Sequence, residues 1–332
     1  MLRRAITTAA ITITAAVTPE TAVFADRPEL LEVRVGETVF CGKAMVHDGD
    51  VCWLLQPDGR LQRIDIDQVS GFRTVSPHFR AAPPIELREQ LRREFGADFD
   101  VAVSRHYVVC APKGRAVDYS EALEETYHQV HRHFALSGIR IPPPEFPLVA
   151  LVFSERERFA EQGRRDDVCM FPDLTGYYHR LSNRIVLLEG DGFESTMIHE
   201  TVHQLAFNAG LHSRIGESPQ WVVEGLATVL EAPQAAGRRG GDSGDVRVNR
   251  MRFGRFREFV RSRRQAGSLA RFVSDDSMFG SSTLDAYCQA WALSFYLLRN
   301  HGPDYVKYLK RIAARDPMKP YPRDERLADF RD

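Results

Sequence analysis

Residues 193–227 read FESTMIHETVHQLAFNAGLHSRIGESPQWVVEGLA. Within this stretch His199-Glu200-Thr201-Val202-His203 sets two imidazoles four residues apart. On a helix i and i+4 share one face, so both rings can reach a single metal ion. Glu200 lies one residue on, about 100° around the helix. From there its carboxylate can address a water without entering the coordination sphere. Met197, Ile198, Val202, Leu205 and Ala206 give the same segment apolar surface for packing. Asp191 with Glu194 three residues later reads as a capping box, and Gly210 as the helix end. Chance alone would give such a motif in about 0.02 of chains of this composition, so the reading needs a further ligand.

Glu224 supplies it. Ser218 reads as the N-cap and Pro219 as the first-turn residue of a second helix. Glu224 falls in its second turn among Val222, Val223, Leu226 and Ala227. A carboxylate in such company is either on an exposed stripe or paired. The loop from Gly210 to Ser218 is short, so the two helices can pair and bring Glu224 to His199 and His203. Gly225 permits close helix approach. Two histidines and a glutamate with an open fourth position form a catalytic zinc set, and one Zn2+ per chain is expected.

Outward from this centre the pattern changes twice. Residues 30–75 alternate apolar and polar, with turn signals at Asp48-Gly49 and Pro57-Asp58-Gly59, which predicts a small all-β module within 26–80. A two-residue turn at Asp48-Gly49 sets Cys52 opposite Met45 and leaves Cys41 about 13 Å away by strand rise, too far for a bridge. Pro77–Pro84 reads as a linker, and 85–332 as the larger domain. There the pattern predicts a helix over 85–95, a hairpin over 99–111, a helix over 119–137, strands at 148–153, 176–179 and 184–188, and a charged helix from Glu155. After Gly192 the chain reads as helical, broken by a probable-loop composition at Pro233–Asp245.

The chain has 332 residues, 44 Lys+Arg against 45 Asp+Glu, and 43% hydrophobic residues. That excludes a mostly disordered chain, and no basic excess asks for nucleic acid. Past the N-terminus no apolar run reaches the length of a membrane span. Residues 1–25, with Arg3-Arg4, a Thr-diluted apolar stretch and Val23-Phe24-Ala25, read as a signal peptide, so a periplasmic or extracellular location is expected. The five cysteines are an odd count and include no Cys-x-x-Cys, so neither a cysteine zinc site nor a redox motif is supported.

HExxH with a glutamate from the following helix resembles the gluzincins, the thermolysin-like and aminopeptidase-like branch of the zincins. TMIHETVHQLAFNAG, PQWVVEGLATVLE and AYCQAWALSFYLLRNHG are similar to bacterial peptidase-MA-like proteins of largely unassigned function, over about residues 95–316. The resemblance implies an α+β, zincin-like (gluzincin) metallopeptidase domain, with a mixed α/β N-terminal lobe and a helical C-terminal lobe behind the β module. It implies that His199, His203 and Glu224 bind zinc and that Glu200 is the general base. It also implies that the strand at Gly176-Tyr177-Tyr178-His179 aligns an extended peptide by strand addition, making Tyr177 and Tyr178 substrate-binding candidates. Many gluzincins carry an acidic residue four after the ligand glutamate, where this chain has Thr228. Thr228 itself, Asp191, Glu194 or Glu231 are the candidates to orient the zinc histidine instead. Tyr287 is the candidate oxyanion donor, with Tyr177, Tyr178, His179 and His212 as rivals.

Two further clusters read as ordinary surface. His128, His131 and His133 lie on one helix with no carboxylate seen near them, and read as a polar flank. Arg252–Arg264 reads as an amphipathic helix with a solvated basic face. The expected function is zinc-dependent hydrolysis of a peptide or protein substrate. The alternative is an extracytoplasmic zinc-containing binding or scaffold protein with little turnover.

Overall fold

The computed structural model describes residues 29–231 and 248–332, so the N-terminal address at 1–25 and the loop read at Pro233–Asp245 lie outside the described residues. The chain divides into two units: residues through Leu87 with Leu181–Asn183, and Arg88–Arg180 with Arg184–Asp332. The architecture is mixed α+β, with an all-β module ahead of a larger part that ends in helices.

In the first unit the alternating pattern becomes five strands, β1 (Leu30–Val35), β2 (Thr38–His47), β3 (Val51–Leu55), β4 (Leu61–Asp65) and β5 (Val69–Ser76). They form an antiparallel sheet in the order β4-β3-β2-β1-β5. Val33, Leu54, Ile64 and Val69, one set of alternate side chains, make its core. The hairpin register differs from the expected one. Cys52 faces His47 rather than Met45, because the Asp48 amide bonds the Val51 carbonyl and Gly49-Asp50 is the turn. Gly49 at φ 104° takes the first central position, which requires positive φ in the turns that match strand twist. A bulge between Ala44 and Val46 absorbs the extra residue, Met45. Cys41 pairs with Glu32 on β1, and all five cysteines are free thiols.

Helix α1 (Pro84–Phe95) follows the proline-rich linker. The second unit is built on a mixed sheet of β6 (Phe99–Val103), β7 (Tyr107–Pro112), β8 (Leu148–Phe153), β9 (Gly176–His179) and β10 (Arg184–Leu188), ordered β6-β7-β8-β10-β9. β7, β8 and β10 run parallel, while β6 and β9 are antiparallel edges. Every residue of β8 and β10 is buried, which is why both read as continuous apolar runs. Helix α2 (Ala116–Leu136) packs on β6 and β7, and α3 (Arg156–Arg165) on β8 and β10.

Helix α4 (Phe193–Asn208) carries the HExxH motif and packs on β9, β10 and α2. From Glu200 to Phe207 all of its residues are buried, so it is an interior helix rather than an amphipathic surface one. It starts one residue later than expected. Its cap is Gly192 at φ 77° without a side-chain bond, so Asp191 and Glu194 form no capping box. Its end is as expected: Gly210 at φ 71° bonds Phe207, and the Leu211 amide bonds the Ala206 carbonyl, a Schellman closure.

Helix α5 (Gln220–Leu230) carries Glu224. Pro219 is its cap residue, and the Gln220 amide is satisfied by Asp276 Oδ1 at 2.9 Å instead of by Ser218. The remaining helices are α6 (Arg250–Ser262), α7 (Ser268–Ser274), α8 (Ser277–Ser281), α9 (Thr283–Asn300), α10 (Gly302–Ala313) and α11 (Arg323–Arg331). One core runs from the sheet through α4 to these helices, with Val109, Leu123, Ile185, Val202, Leu226 and Trp221 in it. Trp221 stacks on Tyr305 and Tyr308, which fixes α5 against α10. Among the described residues, no helix is long and apolar enough to cross a membrane.

Gly225 gives α5 its close approach to α9. A Cβ there would fall on Ser294 Oγ and lie 2.8 Å from the Ala290 carbonyl oxygen. Gly225→Ala is therefore expected to lower stability by about 1–3 kcal/mol through overpacking, despite alanine's better helix propensity. Urea unfolding checks this; an unchanged or raised midpoint would show that the contact has slack.

Candidate metal centre

Three side chains converge where α4 meets α5. One ligand atom each of His199, His203 and Glu224 lies within 4.8 Å of the others. His199 Nε2 and His203 Nε2 are 3.0 Å apart, and Glu224 Oε2 is 3.3 Å from the first and 3.6 Å from the second. The imidazoles are nearly perpendicular, at 84°, as two rings aimed at one point from successive turns must be. The i, i+4 spacing places the histidines, and the Gly210 closure turns the chain so that α5 returns with Glu224 against them.

This group can hold a metal ion, and the interior says so independently. Glu224 Oε2 is buried and has no hydrogen-bond partner, although an imidazole nitrogen of each histidine lies within 3.6 Å of it. Two imidazole nitrogens at 3.0 Å cannot both carry a proton and face each other. Two imidazole nitrogens and an unsatisfied carboxylate oxygen directed at a shared point are, once His199 gives up its proton, the donor arrangement a borderline divalent ion requires.

The electrostatics agree. Burial alone would lower the His199 imidazole, but Glu224 on one nitrogen and Glu231 on the other outweigh it and hold its pKa at about 10. Burial would raise Glu224, but the two histidines hold its carboxyl well below the ordinary range. Burial raises Glu200, more than the two nearby histidines and an amide bond from Tyr178 lower it. Glu200 is thus a buried carboxylate of enhanced basicity, held by the backbone N–H of edge strand β9 beside the metal-ligand group.

Glu231 supplies the carboxylate that Thr228 lacks. Its Oε2 lies 3.2 Å from His199 Nδ1. Arg252 from α6 holds it with Nε on Oε1 at 2.9 Å and Nη2 on Oε2 at 2.8 Å. Thr228 is turned into its own helix, donating to the Glu224 carbonyl at 2.7 Å. A position seven after the ligand lies on nearly the same helix face as one four after it, one turn further along. The sequence named Glu231 as one of several substitutes; Arg252 had only the signal of a basic helix.

The other candidates separate. Tyr287, early in α9, lies beside Glu224, and burial followed by that carboxylate's charge keeps its phenol protonated. The Arg252 guanidinium lies 5.6 Å from its ring centre. Tyr177 points the other way: its hydroxyl donates to Asp166 at 2.7 Å and its ring packs on Phe159. Consecutive residues of a strand face opposite sides, so Tyr178 turns toward α4 and stacks on Phe207. His179 sits 3.6 Å from Asp166 Oδ1, outside the ligand group. His212 packs on Phe207, buried with neither ring nitrogen bonded, and burial pushes it down to about 3.

The three helix histidines also part company. His133 is buried, and burial pushes it down to about 4. His131 lies beside Tyr127. His128 groups with His106 and Glu124, again with one ligand atom from each within 4.8 Å of the others. The expectation that no carboxylate lies near His128 is therefore corrected. Glu124 precedes it by four residues on the same helix face, and His106 arrives from the β6–β7 turn.

Two outcomes follow. Glu231→Gln is expected to weaken metal binding by about 10- to 100-fold, since the negative charge of the acceptor on the ligand imidazole is lost. Thr228→Ala should leave it within a factor of about two. Competition with a chelator measures both. The metal must also displace the proton that His199 holds up to about 10. Between pH 7 and 9 the apparent affinity should therefore rise by about tenfold per pH unit, with a proton released per ion bound. Isothermal titration in buffers of different ionisation enthalpy counts that proton, and a pH-independent affinity would contradict it.

Residues 194–319 match the family model described as DUF1570, a protein of unknown function, a stretch that takes in His199, Glu200, His203, Glu224, Glu231, Arg252 and Tyr287. No curated protein matches the chain.

Proposed function

We propose that this chain is a zinc-dependent peptidase, with His199, His203 and Glu224 as zinc ligands and Glu200 as general base. The observation that carries the reading is the convergence of three ligand atoms within 4.8 Å beside a buried carboxylate that is not itself in the set. A purely structural zinc site closes its fourth position and has no use for such a base. When bound, zinc supplies a Lewis acid and lowers the pKa of a water to about 7.

The remaining work falls to the chain. Glu200 takes the proton from the attacking water and passes it to the departing amine; its raised pKa suits both transfers. Tyr287, kept protonated beside Glu224, has the donor needed for the developing oxyanion. Glu231 and Arg252 fix the His199 ring, so the ligand presented is Nε2. Edge strand β9 turns its Tyr178 amide toward Glu200, which favours an extended peptide as substrate, laid along that edge by backbone pairing. Tyr178 serves there through its backbone, and Tyr177 through its anchoring of the strand to Asp166. Export through the N-terminal segment belongs to the same proposal.

The Glu231–Arg252 pair supplies the carboxylate that Thr228 lacks, which supports turnover over a scaffold that only keeps the metal. Glu200→Gln separates the two readings. Against a peptide library, the zinc-loaded wild type should cleave and Glu200→Gln should cleave at least about 100-fold more slowly, with zinc content unchanged. Equal rates would remove Glu200 as the base, and no cleavage by the loaded wild type would favour the scaffold.

A further inference from the structure

The second unit holds another His/Glu group at the opposite end of its sheet. His106 follows the turn between β6 and β7, while Glu124 and His128 are i and i+4 on α2. One ligand atom of each lies within 4.8 Å of the others. Strand β6 is the edge opposite β9, so this group is separate from His199, His203 and Glu224.

We propose that His106, Glu124 and His128 form a second divalent-metal site, selective for a zinc-class ion and completed by water. The side chains are already arranged as ligands. Glu124 Oε1 is held by the Ser104 hydroxyl at 2.7 Å and by the His106 amide at 2.6 Å, which aims Oε2 at the imidazoles. Oε2 lies 2.8 Å from His106 Nδ1. The His106 ring is stacked on Tyr127 at 3.9 Å, which fixes its plane. His128 meets both rings edge-on, at 5.7 Å from His106 and 5.5 Å from Tyr127.

A hydrogen bond between His106 and Glu124 accounts for two of these residues, and edge-on ring packing accounts for the place of the His128 ring but not for the approach of its nitrogen to the other two ligand atoms. His128 is exposed, yet it brings a ring nitrogen to the group instead of to bulk water. Two imidazoles and one carboxylate oxygen suit zinc and its neighbours in the first row rather than calcium or magnesium. A tetrahedral ion with bonds of about 2.0–2.2 Å needs ligand atoms about 3.3 Å apart, so the 2.8 Å contact must open by about half an ångström. The exposed side leaves room for solvent ligands, and the ion would tie the β6–β7 turn to α2.

The test is equilibrium dialysis of the full chain against micromolar Zn2+, with metal counted per chain, for the wild type and His128→Ala. His128 is exposed, so its removal leaves the fold intact. The expected result is the loss of one equivalent in His128→Ala, whatever the wild-type count. In His199→Ala/His203→Ala, which removes the other group, one saturable equivalent should remain and be weakened at least tenfold by adding His128→Ala. Equal metal counts in the wild type and His128→Ala would overturn the proposal. So would the absence of saturable binding in a folded His199→Ala/His203→Ala chain. Failure of the α4–α5 site would show instead as a wild type whose sole equivalent disappears with His128→Ala.

Discussion

A carboxylate and two imidazoles held within 3.6 Å of one another inside a protein constrain everything around them. Charges removed from water must be compensated locally, because desolvation there costs several kcal/mol per ion. Each surrounding element answers that demand. Glu231 faces the far nitrogen of His199, Arg252 balances Glu231, and Tyr287 lies beside Glu224. The apolar wall of β8 and β10 and the stacked Trp221 keep α4 and α5 from moving apart. The core is thus less a source of stability that happens to carry a site than the frame that keeps three ligands aimed.

Local signals carried much of this. The four-residue spacing needs only helical geometry, and the Gly210 closure needs only a residue at ease with positive φ. Both were legible in the sequence, as were the period-two strands of the first unit and the uninterrupted apolar runs of β8 and β10. Helix starts were less so. The Asp191 capping box gave way to a bare Gly192, and the Ser218 cap to Asp276, 56 residues away from the amide it satisfies. A distant side chain that outcompetes a neighbour leaves no mark within the window that a local pattern reads.

The site shows the same division. His199, Glu200, His203 and Glu224 share two helices joined by a short loop, so spacing brought them together. Thr228, the expected place for an orienting acid, bonds its own backbone, and the acid stands one turn further on at Glu231. The histidines at 128, 131 and 133 are closer to one another in sequence than to Glu124, the carboxylate one turn earlier that groups with His128. The third member of that group comes from a hairpin turn that no helical period reveals. Adjacent Tyr177 and Tyr178 had to diverge, since neighbouring strand residues face opposite sides.

The Glu231–Arg252 pair has a bearing on how this chain can be altered. Its partners lie 21 residues apart, one at the end of α5 and the other in the first turn of α6. The carboxylate that faces a ligand imidazole is thus itself held from a helix that brings no ligand. A change at Arg252 would be felt at His199 without altering any residue of the metal-ligand group, so metal affinity can be retuned from outside that group.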